Sequence, residues 1–396
     1  MSNLNFFSEK INVTNKRVIV RFDLNVPFDN GKILDDTRIK VIKPFLEKLV
    51  KKKAKIIIIS HLGRPKGKRI LKLSLKPIYN YLKTKTNFRV KFQEKFLSKR
   101  LLSISKKIKS GQILLLENIR FNKLEELNDV DFAKSLSRLG DIYINEAFSC
   151  SHRKQASIHK ITKFIKSYCG PLFLKEIKSI AYLLKNKKRP ITCIIGGSKI
   201  STKIGVLSNL IKNSDYLIIV GAMANNFLKY NGFGIGASVV EKETKNIIRK
   251  IYILSKKYKC KVLIPFDFMT SKKMSGNPVY RSEDEVKNDE IILDIGKNTI
   301  SYIKKLINRS RTVFWNGPAG YYENKKFSKG TRSLALIISN KTKSKQLISI
   351  VGGGDTIAAI KKAKIKTIFT HLSTAGGAFL ESLEGKELPG IKVLKK

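Results

Sequence analysis

The chain has 396 residues, 42% of them hydrophobic and 28% charged, which allows two or three domains with packed cores and excludes bulk disorder. It carries 80 Lys and Arg against 30 Asp and Glu, a net charge of +50, which by itself admits a nucleic-acid binder. No apolar run approaches the about 18 residues of a membrane-spanning helix.

Met1 to Lys10 is polar and mixed, unlike a signal peptide. The first expected strand, Val18–Phe22, runs directly into Asp23-Leu24-Asn25-Val26-Pro27. Asp35-Asp36-Thr37-Arg38 then precedes a helix over Ile39–Val50, with Asp36 or Thr37 as its cap. Arg38 in the first turn runs against the helix dipole, which makes sense if it faces an anion; an exposed Arg is the alternative. Strand Ile56–Ser60 delivers His61-Leu62-Gly63-Arg64-Pro65. After a helix over Leu73–Leu82, strand Ile113–Leu116 delivers Glu117-Asn118-Ile119-Arg120-Phe121. Helix Phe132–Leu139 and strand Ile142–Ile144 follow, ending in Asn145-Glu146 and then Ser151-His152-Arg153. Several strands thus end in a cationic or amide side chain: Asn25, His61, Arg64, Arg120 and Arg153, with Arg38 nearby. Continuous Ile/Val/Leu runs suit parallel strands buried on both faces, and parallel strands would bring these groups to one sheet edge. Such a set would clamp a small polyanion that carries hydroxyls.

The β-α alternation is interrupted once. Gly170-Pro171 opens a long amphipathic helix over 172–184, broken by the stretch Asn186 to Pro190. A domain boundary is expected there, giving a first lobe over 1–171, a bridge over 172–188 and a second lobe from 189. In the second lobe, strand Ile191–Ile195 ends in Gly196-Gly197-Ser198-Lys199 and enters a helix over Ile200–Ile211. Lys199 and Lys203 stand at i, i+4 and would share one face. This is not a Walker A loop, yet two point charges beside a helix start suit phosphates; two exposed surface lysines are the alternative. Strand Tyr216–Val220 follows. Gly232-Phe233-Gly234-Ile235-Gly236 mimics a dinucleotide fingerprint, but it follows a helix-like segment (Asn226–Tyr230) and is rejected as a cofactor loop. Helix Glu241–Ser255, strand Val262–Ile264 and helix Ile300–Asn308 come next. Strand Thr312–Phe314 leads to a turn-rich loop, Trp315 to Glu323, whose Glu323 would accept from ribose hydroxyls. Helix Ser333–Ser339 precedes strand Leu347–Val351, which ends in Gly352-Gly353-Gly354-Asp355-Thr356. Glycines let a backbone approach a ligand, and helix-start N–H groups favour an anion. Asp355 either caps that helix or holds a divalent metal on a phosphate. A last strand, Thr367–Phe369, leads to a third glycine loop through Ser373-Thr374-Ala375-Gly376-Gly377. Cys150, Cys169, Cys193 and Cys260 show no C-x-x-C or zinc spacing, which points to a reducing compartment.

With these motifs in hand the chain resembles phosphoglycerate kinase from end to end. The matching pieces are Arg21 to Pro27, Asp36 to Ile39, His61 to Pro65, Glu117 to Phe121, His152-Arg153, Gly196 to Lys199, Trp315 to Pro318, Gly352 to Thr356 and the Ser-Thr-x-Gly-Gly loop. The resemblance implies an α/β fold of two Rossmann-like lobes, each a parallel sheet flanked by helices, joined by an interdomain helix and separated by a deep cleft. The first lobe would bind 3-phosphoglycerate or 1,3-bisphosphoglycerate through Asp23, Leu24, Asn25, Arg38, His61, Leu62, Gly63, Arg64, Arg120 and Arg153. The second, 189–387, would bind ADP or ATP with Mg²⁺ through Lys203, Glu323, Gly353, Gly354, Asp355 and Thr356, with Asp355 as the metal ligand. The tail 388–396 would return to the first lobe. A cytoplasmic monomer is implied. Some positions depart from the family pattern. Glu146 replaces an Asp, Ser149-Cys150-Ser151 a Gly-Thr-Ala-like run, Lys297 a Pro, and Ala375 a glycine whose replacement would crowd a phosphate or forbid a positive φ.

The implied reaction is reversible phosphoryl transfer from 1,3-bisphosphoglycerate to ADP. Its reverse acceptor is a carboxylate, already ionised near neutral pH, so no general base is needed. The chain accordingly offers Arg, Lys and glycine loops and no obvious acid–base dyad. Arg38 and Lys199, helped by the N–H groups of Gly376 and Gly377, are expected to stabilise the transferring group after the lobes close. Two readings compete: a basic nucleic-acid-binding protein and an inactive kinase-fold protein. Against the first, the basic residues are spread along the whole chain, are mostly Lys, and show no nucleic-acid-binding motif; the charge reads as solvated surface.

Overall fold

The structure is a computed structural model that describes residues 4–29, 31–94, 99–185 and 188–395. The Asn186-Lys187 start of the expected break, and the last residue of the expected tail, lie outside these. The chain divides into two compact units, Met1–Ile177 with Glu387–Lys396, and Lys178–Lys386. The division falls inside the helix Pro171–Lys185.

The first unit is built on a six-stranded parallel sheet. Its order is Val90–Gln93, Ile113–Leu116, Lys55–Ile59, Arg17–Arg21, Ile142–Asn145 and Ser167–Cys169. The central strands are Ile/Val/Leu runs with both faces buried, because helices cover both sides. The two edge strands are not apparent from the sequence: they are short and mixed, VKFQ and SYC. The last residues pack on this unit. Asn5 N–H donates to the Leu394 carbonyl (2.8 Å) and Gly390 N–H to that of Ser151 (2.9 Å).

The second unit holds a second six-stranded parallel sheet. Its order is Lys261–Leu263, Tyr216–Ile219, Ile191–Ile195, Thr312–Asn316, Ile348–Gly352 and His371–Ser373. The last strand is not the expected Thr367–Phe369. Pairing begins only at His371, opposite Ile350; Ile368 is exposed, and Phe369 packs on the core from a loop. A separate antiparallel sheet, in the order Val279–Ser282, Asp267–Ser271 and Ile291–Ile295, has no counterpart in the expected elements.

Helix starts shift for local reasons. Asp36 stands at the N-cap position of helix Thr37–Lys51, but its side chain makes no capping hydrogen bond. Asp35 Oδ1 accepts from the Thr37 N–H (2.9 Å), while the Asp36 carboxylate accepts from the Tyr81 hydroxyl (2.8 Å). The helix expected from Glu241 begins at Lys245, and the Glu241 carboxylate accepts from the Ser201 N–H (3.1 Å) instead. The helix expected from Ile200 begins at Ile204 after a 3₁₀ turn over Ser201–Lys203. Lys199 and Lys203 therefore share no α-helical face.

Candidate active site

In the first unit the C-terminal ends of four adjacent strands carry the cationic and amide set. Asp23 to Asn25 follow Arg17–Arg21, His61 to Arg64 follow Lys55–Ile59, Arg120 follows Ile113–Leu116, and Arg153 lies beyond Ile142–Asn145. Such a sheet edge is where open α/β folds take ligands. Hydrogen bonds between the loops hold it. Ser60 Oγ accepts from the Leu24 N–H (3.0 Å) and donates to the Phe22 carbonyl (2.9 Å). Asn25 Oδ1 accepts from the Gly63 N–H (2.8 Å), and the Gly63 carbonyl accepts from Arg120 Nη1 (2.8 Å). Gly63 makes that link at φ +61°, where a Cβ would also strike Leu73.

Asp23 is the one carboxylate among these residues. It accepts from Arg38 Nη1, the Ser149 hydroxyl and the Asn25 N–H. Burial raises its carboxyl, but Arg38 and the hydrogen bonds prevail and hold it at about 2. Arg120 is buried, and Arg153 Nε donates to His152 Nε2 (3.0 Å). Arg64 is exposed. Leu24 and Leu62 are core side chains, so each presents only backbone to a ligand. His61 corrects the cationic reading of this edge. Burial, then the neighbouring Arg21, pushes its imidazole well below the ordinary histidine value, and the ring is neutral.

The departures in the Glu146 to Ser151 region have structural partners. Ser149 binds Asp23, Cys150 Sγ lies 3.9 Å from His61 Nδ1, and the Ser151 carbonyl receives the C-terminal segment. Glu146 is buried, which pushes its carboxyl up to about 8, and it accepts from the Phe173 N–H (2.9 Å) in the first turn of helix Pro171–Lys185.

The second unit repeats the device with glycine loops. Asn316, at the end of its strand, ties two of them together. Its carbonyl accepts from the Gly196 N–H (2.7 Å), its Nδ2 donates to the Gly352 carbonyl (3.0 Å), and its Oδ1 accepts from Lys203 Nζ (3.2 Å). The sequence reading gave Asn316 no role. Lys203 points inward and also donates to the Gly196 carbonyl. Burial lowers it to about 8, against the raising effect of Asp355. Lys199 is exposed.

Asp355 is not a cap. Helix Gly354–Lys362 starts from Gly353 at φ +99°, and Asp355 stands exposed in its first turn. The Thr356 hydroxyl is committed to the fold, accepting from the Gly317 N–H (2.7 Å) and donating to the Gly352 carbonyl (2.9 Å). It is therefore a brace between loops, and any phosphate contact from Thr356 falls to its backbone. Gly354, Gly376 and Gly377 face open space. Ala375 is buried, outside the positive-φ region, with its N–H on Ser373 Oγ (3.3 Å). The expected conflict with a positive φ therefore does not arise at Ala375.

Beside these loops lies a cavity of about 300 Å³. Gly197, Ser198, Glu323 and Asp355 form a polar side; Val239, Phe268, Met274, Ile291, Leu293 and Pro318 contribute apolar walls. Much of that wall comes from the antiparallel sheet, so no local motif announces it. The shape suits a flat apolar ring with a polyanionic tail. Asp355, exposed at a helix start beside Lys203, is the kind of single carboxylate that joins a Mg²⁺ already held by substrate phosphates. Among the described residues no group of three or more His, Cys, Asp or Glu forms a metal cage.

Comparisons with known proteins converge on one family. The family profile described as Phosphoglycerate kinase matches residues 8–386. A phosphoglycerate kinase of Orientia tsutsugamushi (strain Ikeda) is 44% identical over 385 residues, covering 96% of this chain and 95% of the relative. One of Borrelia garinii subsp. bavariensis is 42% identical over 383 residues, covering 96% of each. The solved phosphoglycerate kinase of Coxiella burnetii superposes with a TM-score of 0.87 at 39% identity, and that of Pyrococcus horikoshii with 0.83 at 28%, each covering 98% of both chains.

Proposed function

The chain belongs to the phosphoglycerate kinase family, and from that premise we propose how its two half-sites divide the reaction. The enzyme is a phosphotransferase with a carboxyl group as acceptor, acting on phosphoglycerate and on ADP or ATP. In our reading the first unit binds 3-phosphoglycerate. Arg64, Arg120 and Arg153 take its phosphate, and Asp23 and Asn25 take its hydroxyl end. His61 supplies a neutral donor, and Leu24, Leu62 and Gly63 shape the backbone around it. The second unit binds the nucleotide. Its base enters the apolar cavity, its ribose reaches Glu323, and its phosphates meet Lys203 and the N–H groups of Gly353 to Thr356. Asp355 would hold Mg²⁺, which neutralises phosphate charge when bound.

Transfer to ADP breaks the bond between phosphorus and the acyl oxygen and forms a bond to a terminal oxygen of ADP, roughly in line. The leaving carboxylate needs no proton. What the chain must supply is alignment and positive charge, from Arg38 and Lys199 with the Gly376 and Gly377 N–H groups at the open helix start. Arg38 donates to Asp23, so in this scheme it shares that donor set with the transferring phosphoryl oxygens. We read the enzyme as a cytoplasmic monomer whose +50 charge is solvated surface. Among the described residues no helix is long and apolar enough to cross a membrane.

The observation that carries this reading is the set of Arg and amide side chains that four adjacent parallel strands bring to one sheet edge. A coupled assay that starts from 3-phosphoglycerate and Mg-ATP and consumes the acyl phosphate tests it. Turnover that requires both substrates and Mg²⁺ is expected. Binding of both without turnover would favour an inactive kinase fold.

A further inference from the structure

Beneath the phosphoglycerate half-site runs a chain of fully buried polar side chains: Arg21, Ser157, Glu125 and Tyr143, each with no exposed surface. Arg21 Nε donates to Ser157 Oγ (3.0 Å), Nη1 donates to the Phe22 carbonyl, and Nη2 lies 3.2 Å from His61 Nδ1. Ser157 passes the link on. Its hydroxyl donates to Glu125 Oε1 (2.6 Å) and its N–H to Glu125 Oε2 (2.8 Å). The Tyr143 hydroxyl holds the Ser157 carbonyl (2.5 Å). Both oxygens of Glu125 therefore accept, and the serine hydroxyl relays between a buried carboxylate and a buried guanidinium.

The direction of the last link is forced. A guanidinium only donates, so His61 Nδ1 must be the acceptor. The second group near Nδ1 agrees: Cys150 Sγ, at 3.9 Å, is a thiol whose burial pushes it up, so it too has a hydrogen to give. With Nδ1 accepting, the ring proton of neutral His61 sits on Nε2. The charged groups around the ring are Arg21 and Asp23 at the end of strand Arg17–Arg21, Arg38 of helix Thr37–Lys51, and Arg120. Three guanidiniums against one carboxylate leave no room for a further cation.

We propose that Glu125, acting through Ser157 and Arg21, is a positioning residue that fixes His61 as the neutral Nε2–H tautomer, a hydrogen-bond donor to the bound phosphoglycerate. The substrate part rests on the reading of His61 given above; the tautomer does not.

Nitrogen-15 spectra of the ring test it in the free enzyme. From about pH 5 to pH 8, where an ordinary histidine titrates, Nε2 should remain protonated and Nδ1 unprotonated. In Glu125→Gln and Ser157→Ala, which release Arg21 from its place beside the ring, the two neutral tautomers should mix. The KM for 3-phosphoglycerate should rise about tenfold, the loss of one charge-supported hydrogen bond, with the KM for ATP unchanged. Ser157→Thr keeps the hydroxyl and should restore the wild-type spectrum. Should Glu125→Gln not fold, Ser157→Ala interrupts the same chain. A wild-type ring protonated at Nδ1, or folded variants with the wild-type tautomer and KM, overturns the proposal. Ring signals that stay put under saturating 3-phosphoglycerate would instead remove His61 from the substrate contacts while leaving its tautomer as measured.

Discussion

Arg38 and Lys203 are both held by partners, and the nature of each partner sets its chemistry. Arg38 is paired with Asp23, whose carboxyl lies at about 2 and stays ionised across the working pH range. Replacing Arg38 by Ala should lower kcat by roughly 100- to 1000-fold, the effect of one electrostatic donor worth about 2.7–4 kcal/mol; steady-state kinetics returning a near-normal kcat would end its catalytic role. Lys203 has only neutral oxygens in hydrogen-bond contact, and burial takes its ammonium down to about 8. Its charge is present below that pH and lost above it. The KM for ATP should therefore climb as pH passes about 8, and ATP binding near that pH should take up a proton, measurable by calorimetry in two buffers. Lys203→Ala should show a high KM without the climb; a wild-type KM flat to pH 9 would contradict this. Stability has the opposite sign. Between about 8 and the ordinary 10.5 the unfolded chain holds a proton the folded chain has released, so this group favours folding more as pH rises through that window.

At the scale of elements, the turn from strand Ile348–Gly352 into helix Gly354–Lys362 separates folding from binding. Gly353 sits at φ +99°, and a Cβ there would lie 2.7 Å from Asn316 Nδ2. Gly353→Ala should cost about 1–3 kcal/mol of stability, read as a shift in the urea midpoint. Gly354 meets nothing within 4 Å, so Gly354→Ala should leave the midpoint unchanged or slightly raised. If this turn holds the nucleotide phosphates, as proposed, the same methyl should weaken ATP binding in a titration; unaltered affinity would take the turn out of the phosphate site. The strands that feed both half-sites were legible because each is a contiguous apolar run. The antiparallel sheet was not, since DFMTS and VYRS mix polar with apolar residues and gain their identity only from pairing. Thr367–Phe369 misled for the converse reason: its apolar residues serve a loop, and the hydrogen bonds fall on His371–Ser373.

For the whole molecule, the residues proposed to bind phosphoglycerate belong to one compact unit and those proposed to bind the nucleotide to the other, while reaction needs the attacking and receiving atoms about 3–3.5 Å apart. Small-angle scattering with 3-phosphoglycerate and Mg-ADP, a non-reacting pair, should show a smaller radius of gyration than the free enzyme; an unchanged radius would count against closure. The amino-acid sequence determined the α/β class, the family, and the polar and glycine loops at the strand ends, because apolar runs, glycine turns and their order are properties of neighbouring residues. Tertiary structure alone decided which atoms those residues still offer. His61 is neutral because Arg21 and burial act on it, the Thr356 hydroxyl is taken by Gly317 and Gly352, Lys203 is half-discharged near pH 8 in a cage built by Gly196 and Asn316, and the cavity wall comes from a sheet with no motif of its own. Protonation and hydrogen-bond commitment depend on partners far apart in the chain, such as Ser149 and Asp23 at a separation of 126 residues, and no local pattern encodes them.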